Sequence, residues 1–145
     1  KNYKAYNDEL ESVTSALSKK LRERLTEIQP LIDYFKTNGF YFTHPALGSD
    51  IRTTVGVILG RNVRTLNELY VYDGSKPVVY KVYLSDPNVK DDTKQIALLS
   101  FFEICDHEFA LQGIEHIRTG LERIENEIKD LIMRRKNVLE RISKA

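Results

Sequence analysis

The sequence predicts an α+β fold: two long terminal helices forming an antiparallel coiled-coil stem, with a small antiparallel β-meander and one further helix inserted between them. Three observations predict it. Apolar residues recur at heptad spacing in residues 7–37 and again in 113–144. Short β-branched and aromatic runs, separated by turn residues, fill residues 40–84. A helical pattern at 93–111 lies between the meander and the last helix. With 145 residues, 41% hydrophobic and 30% charged, the chain fits a single domain over 1–145.

In the first helix, Leu10, Leu17 and Leu31 make one row at multiples of seven, interrupted by Arg24, and Leu21, Ile28 and Phe35 make a second. Pro30 removes an amide donor and crowds the carbonyl four residues back, so a kink or a fresh start is expected near Gln29. Asn38-Gly39 tolerates left-handed backbone and ends the helix.

The meander comprises IRTTVGVIL (51–59), LNELYVY (66–72) and VVYKVYL (78–84), punctuated by GRN (60–62) and YDGSKP (72–77). Phe40–Thr43 supplies a further edge strand. Neither face of the 66–72 run is cleanly polar, so helices are expected over one face and a partner or the stem against the other. SDPNVKDDT (85–93) reads as a linker ending in an Asp91 or Asp92 cap for a helix carrying Ile96, Leu99, Phe102 and Phe109.

From Gly113 to Lys144, Ile114, Leu121, Ile128 and Ile142 form one row and Ile117, Ile124, Leu131 and Val138 another, broken by Arg135. Leaving such a set of eight aliphatic side chains exposed would forgo roughly 12–24 kcal/mol, as much as a small domain's whole stability or more. The seam is therefore covered. At a rise of about 1.5 Å per residue the two end helices run about 45 and 48 Å, so they match. Paired antiparallel, they bring Leu10 near Ile142, Phe35 near Ile114, Arg24 opposite Asn126 or Glu127, and Arg135 near Thr14 or Glu11. A parallel dimer of the last helix would instead set two Arg135 side chains face to face.

The seam residues are Leu17, Leu21 and Ile28 with Ile117, Leu121, Ile124, Ile128 and Leu131. Two helices still have two sides, so a homodimer or larger assembly is expected. Gly113 and Gly120, seven apart, mark either close approach by a second helix or merely a helix end and a tolerated glycine. In outline, the order helix, β hairpins, helix resembles prefoldin-like chaperone subunits, an analogy of architecture that carries no site residues.

Composition excludes more than it identifies. Twenty-two Lys and Arg against 21 Asp and Glu leave a net charge of +1, which gives no global field for nucleic acid, membrane or an acidic substrate. The local basic clusters, Lys19, Lys20, Arg22 and Arg24 and then Arg134 to Lys136, are interspersed with Glu and read as solvated faces. One cysteine, Cys105, permits no internal disulfide and suits a reducing compartment. No apolar run approaches the roughly 18 residues of a membrane span, and Lys1–Leu10 has no signal-peptide apolar stretch. A cytoplasmic protein is the expectation, although a chain starting at Lys1 says nothing of a leader removed before it.

Catalytic motifs (a Walker-type loop, GxSxG, HExxH, CxxC) are missing from the sequence. Glu103 and His107, four apart, offer two metal ligands without a third, and His116 falls on the other side, so no metal or other cofactor is expected. His44 has the chemistry of a general base but no nucleophile to serve. Tyr70, Tyr72, Tyr80 and Tyr83 lie on two strands joined by the Asp-Gly turn, and tyrosine suits a protein interface as well as cross-strand packing. The expected function is a non-enzymatic, oligomeric interaction module, an adaptor, assembly factor or inhibitor, binding another protein through its sheet. The alternative is capture of a nucleotide or other small anion by Arg52, Arg61 and Arg64 beside Gly56 and Gly60.

Overall fold

A computed structural model describes residues 2–144. The elements run α1 (Tyr3–Glu27), α2 (Gln29–Thr37), β1 (Val57–Arg61), β2 (Glu68–Tyr72), β3 (Val78–Tyr83), β4 (Asp86–Ala97), α3 (Leu98–Ile104) and α4 (His107–Lys144). The fold is α+β, with long terminal helices and one antiparallel sheet in the order β1-β2-β3-β4.

Proline decides the first break. Pro30 sits in the first turn of α2, where its missing amide leaves no hydrogen bond unmade, and α1 stops at Glu27. The stop after α2 falls at Asn38-Gly39, with Gly39 at φ 67°. Leu21, Leu25, Ile28, Ile32 and Phe35, spaced alternately four and three apart, form a continuous stripe no more than 4% exposed. Phe35 caps that stripe against Phe42, with ring centroids 5.1 Å apart.

The sheet is larger than expected, and its growth corrects two assignments. Residues 85–93 are not a linker: most of them belong to β4, which pairs with β3 through Val79↔Ile96 and Val82↔Lys90. Asp91 caps no helix. Its carboxylate accepts the Thr93 amide at 3.0 Å and the Tyr83 hydroxyl at 2.8 Å. The Asp-rich composition favours a loop, but the open edge of β3 offers a ladder of unpaired backbone groups, and pairing overrides propensity. The helix expected over 93–111 is consequently split. β4 takes its start, α3 covers 98–104, and the chain breaks at Cys105-Asp106. There the Asp106 carboxylate accepts the Phe109 amide at 3.2 Å and caps α4, so the last helix begins at His107 rather than Gly113.

Phe40–Thr43 contributes only an isolated bridge, Phe42↔Thr53, and β1 starts at Val57 rather than Ile51. One sheet face, with Val57, Leu59, Val79 and Ile96, packs on α1, α2, α3 and α4. The opposite face, with Ile58, Leu69, Val71 and Val82, is covered by the chain's own Leu47, Ile51, Val55 and Phe109, not by a partner. Along the β1 edge lies α4. A Cβ on Gly113 would stand 2.0 Å from the Ile58 carbonyl oxygen, so only glycine permits this approach, and Gly113 is neither a helix end nor a contact for a foreign helix. Gly120 gives the same helix room against Phe35.

The Asp-Gly turn between β2 and β3 is pinned from three sides. Asp73 is 3% exposed; its carboxylate accepts Lys90 Nζ at 2.8 Å and the Ser75 amide at 2.9 Å, and its carbonyl accepts Lys36 Nζ at 3.0 Å. Burial raises the Asp73 carboxyl, but the bonds from Lys90 and Ser75 outweigh it and hold the group below the usual carboxylate value.

Candidate interaction surface

Burial along α4 ends abruptly. Ile114, Ile117 and Ile124 are buried, whereas every residue from Glu125 to Lys144 is exposed. At about 1.5 Å per residue, that stretch is a rod of about 30 Å. Its apolar side chains follow the heptad rows and widen them: Ile128 and Leu131 are each 43% exposed, and Ile132, Val138, Leu139 and Ile142 more so.

The expected stem closes only in part. Leu21, Ile28, Ile117 and Ile124 are buried, and Leu17 and Leu121 partly so, in one core. Leu10 and Ile142 are 65% and 68% exposed, so they do not cover one another within a chain. Arg24 finds its carboxylate on its own helix, Glu27 at 3.3 Å, not on α4. The physical reason is α3. The middle of α1 lies beside α3, with Leu10, Thr14 and Ser18 facing Leu99 and Glu103 across a groove.

The tyrosines do not form a common face. Tyr80 is 2% exposed with the Lys90 ammonium 4.5 Å from its ring centroid, so it presents nothing to a partner. Tyr70 packs on Phe101 at 5.6 Å, and with Tyr72 it lies on the helix-covered face. Tyr83 is half-buried and its hydroxyl is bound to Asp91.

The three arginines have three different surroundings. The Arg52 guanidinium lies 4.3 Å over the Tyr41 ring, and Arg61 donates from Nε (2.9 Å) and Nη2 to the Leu66 carbonyl, closing its own turn. Arg64 is exposed, and its backbone amide is held by Asn62. Two of the three forks are thus already engaged inside the chain.

The histidines are similarly occupied. His44 Nε2 donates to the Phe109 carbonyl at 2.7 Å while Nδ1 accepts the Ala46 amide at 3.0 Å, which fixes the tautomer and leaves neither nitrogen for a substrate. His107 Nε2 faces the Phe102 carbonyl, and His116 bonds the Thr43 hydroxyl at 3.0 Å. Among the described residues no three His, Cys, Asp or Glu gather as a metal site would require. A crevice of about 420 Å³ opens between Gly60–Val63 and Ile104–Asp106. Its Cys105 thiol is pushed up to about 11 by burial, so it stays protonated at neutral pH and is a poor nucleophile.

No family model, curated protein or solved structure matches this chain. The residues the sequence reading passed over are Ile132 and Leu139, which turn a narrow seam into a broad stripe. Their signal was present, since each follows a residue of the heptad rows by one position.

Proposed function

We propose that the chain is a non-enzymatic interaction module whose contact surface is the projecting half of α4 rather than its tyrosine-rich sheet. The observation that carries this reading is the exposed apolar stripe of Ile128, Leu131, Ile132, Val138, Leu139 and Ile142 on a rod clear of the core. Contiguous apolar surface of this kind marks a site of association. Both faces of the sheet are packed by the chain itself. The engaged histidines and the protonated Cys105 offer no activated base or nucleophile, which also supports a binding role.

The test is the double variant Leu131→Glu/Val138→Glu in the full chain. Both positions are exposed, so its melting transition in dilute solution should match the parent. Every association of the chain, with itself or with another protein, should weaken at least tenfold by light scattering and titration. Unchanged association would overturn the reading.

A further inference from the structure

Resting on that reading, we propose that the partner of the projecting helix is a second copy of this chain, paired antiparallel about a two-fold axis at the height of residue 133. Charge is the first argument. Residues 125–130 carry Glu125, Glu127 and Asp130 against Lys129, whereas residues 131–144 carry five Lys and Arg against Glu140 alone. The rod therefore has an acidic root and a basic tip. Two copies side by side in opposite directions set each tip against the other's root, while a parallel pair sets like against like.

Register supplies the second, independent argument. In an antiparallel coiled coil, the two rows of one helix meet the opposite rows of the other. Here one alignment pairs the exposed rows: Ile128 faces the partner's Val138 and Leu131 faces the partner's Arg135, each twice by symmetry. These layers span residues 128–138, the middle of the exposed stretch, because Ile124 is buried in its own chain.

Arg135 thus meets an aliphatic side chain instead of its own copy, and its head reaches water at the rim. On one flank Glu127 comes opposite the partner's Arg141, twice by symmetry. On the other, Ile132 meets the partner's Ile132, and the stripe is as broad as it is because that flank is also interface. Two contacts are unfavourable: Leu139 comes opposite the partner's Glu125, and Arg134 lies near the partner's Arg134, where each arginine is already neutralised by Asp130 of its own chain at 2.7 Å.

Full-length chains with Cys105→Ala test the arrangement under mild oxidation. Mixed Ile128→Cys and Val138→Cys chains should cross-link to each other, and Val138→Cys alone should not. Cross-linking of Val138→Cys alone would mean a parallel pair and overturn the proposal. Glu127→Arg and Arg141→Glu should each weaken self-association by roughly tenfold, since each breaks both symmetric ion pairs, and the double swap should restore it. A parallel coil makes no such pair, so rescue is specific to this register. A chain that is monomeric at about 100 µM, yet still needs Leu131 and Val138 to hold another protein, overturns this proposal and leaves the functional reading standing. A Leu131→Glu/Val138→Glu variant that alters nothing sinks both.

Discussion

Residues 107–124 and 125–144 form one unbroken helix, share one heptad repeat and carry the same kinds of aliphatic side chain, yet the first half is sunk in the core and the second is wholly exposed. Periodicity does not distinguish them. Glycine does: Gly113 and Gly120 lower the first half onto the Ile58 backbone and the Phe35 ring, and the second half has no glycine and keeps its backbone away from any neighbour. An amphipathic face announces that it will be covered. The small residues within it tell which stretch the chain covers for itself.

The strongest way to break the comparison is to make the same deletion in both halves. Ile114→Ala removes a side chain that is 1% exposed and leaves a cavity between α4 and the sheet, so chemical unfolding should show a loss of about 2–5 kcal/mol. Ile142→Ala removes one that is 68% exposed, and in dilute solution the change should stay within about 0.5 kcal/mol. Comparable losses would mean that the projecting half packs on its own chain after all.

The sequence made the helical half of this molecule legible and the irregular half much less so. Heptad rows found both long helices, Pro30 placed the α1–α2 break, and Asn38-Gly39 placed the end of α2, because each signal is local and acts through the backbone of its own residues. β4 was missed because its twelve residues carry the charges of a loop and owe their conformation to the β3 edge, a partner read from tertiary structure rather than composition. Missing β4 displaced the next assignment, giving one helix at 93–111 where α3 and α4 meet at an Asp106 cap. The seam itself was legible, but its occupant was not. α3, hidden inside that mistaken helix, takes the place beside α1 that the antiparallel stem reserved for the end of α4. Tyr80 looked like a surface residue because strand alternation says which residues share a face, not which face is covered.

Acid sharpens the comparison from another side, because the docked half of α4 rests through Phe109 on a histidine, His44, that must stay neutral. His44 stacks on Phe109 with ring centroids 3.7 Å apart, and burial chiefly, with His116 nearby, lowers it below the ordinary 6.5 against the Phe109 carbonyl and Asp106, which raise it. Protonating Nδ1 would set a donor against the Ala46 amide. Such a histidine takes its proton more readily in the unfolded chain, so stability falls as the pH drops below about 6.5 and the loss is complete below the folded-state value. His116, lowered by burial and Arg123, adds to the same window, whereas Asp73, held below 3.8, contributes a loss only at far lower pH. Thermal melts at pH 7.5 and 5.0 should show a clear drop that His44→Gln reduces, from a lower starting stability. An identical slope in parent and variant would remove His44 from the account. The projecting half carries no histidine, so this loss belongs to the docked half.

The smallest expected effect belongs to the ion pairs of the projecting half, Asp130–Arg134 at 2.7 Å and Glu140–Lys144 at 2.9 Å. All four groups are more than half exposed, and i,i+4 pairs of this kind contribute about 0.3–0.5 kcal/mol each, less in salt. A twenty-residue helix held by such pairs alone is marginal in water, so they cannot be what keeps this half ordered. Asp130→Asn should therefore leave the melting transition of the dilute chain within error. Between two antiparallel copies the same change strips the neutralising group from two arginines that meet near the axis, so the dissociation constant should rise several-fold while the melt stays put. A change that moved the melt and left self-association alone would place Asp130 in the service of its own chain, and the difference between the two halves of α4 would then be one of degree.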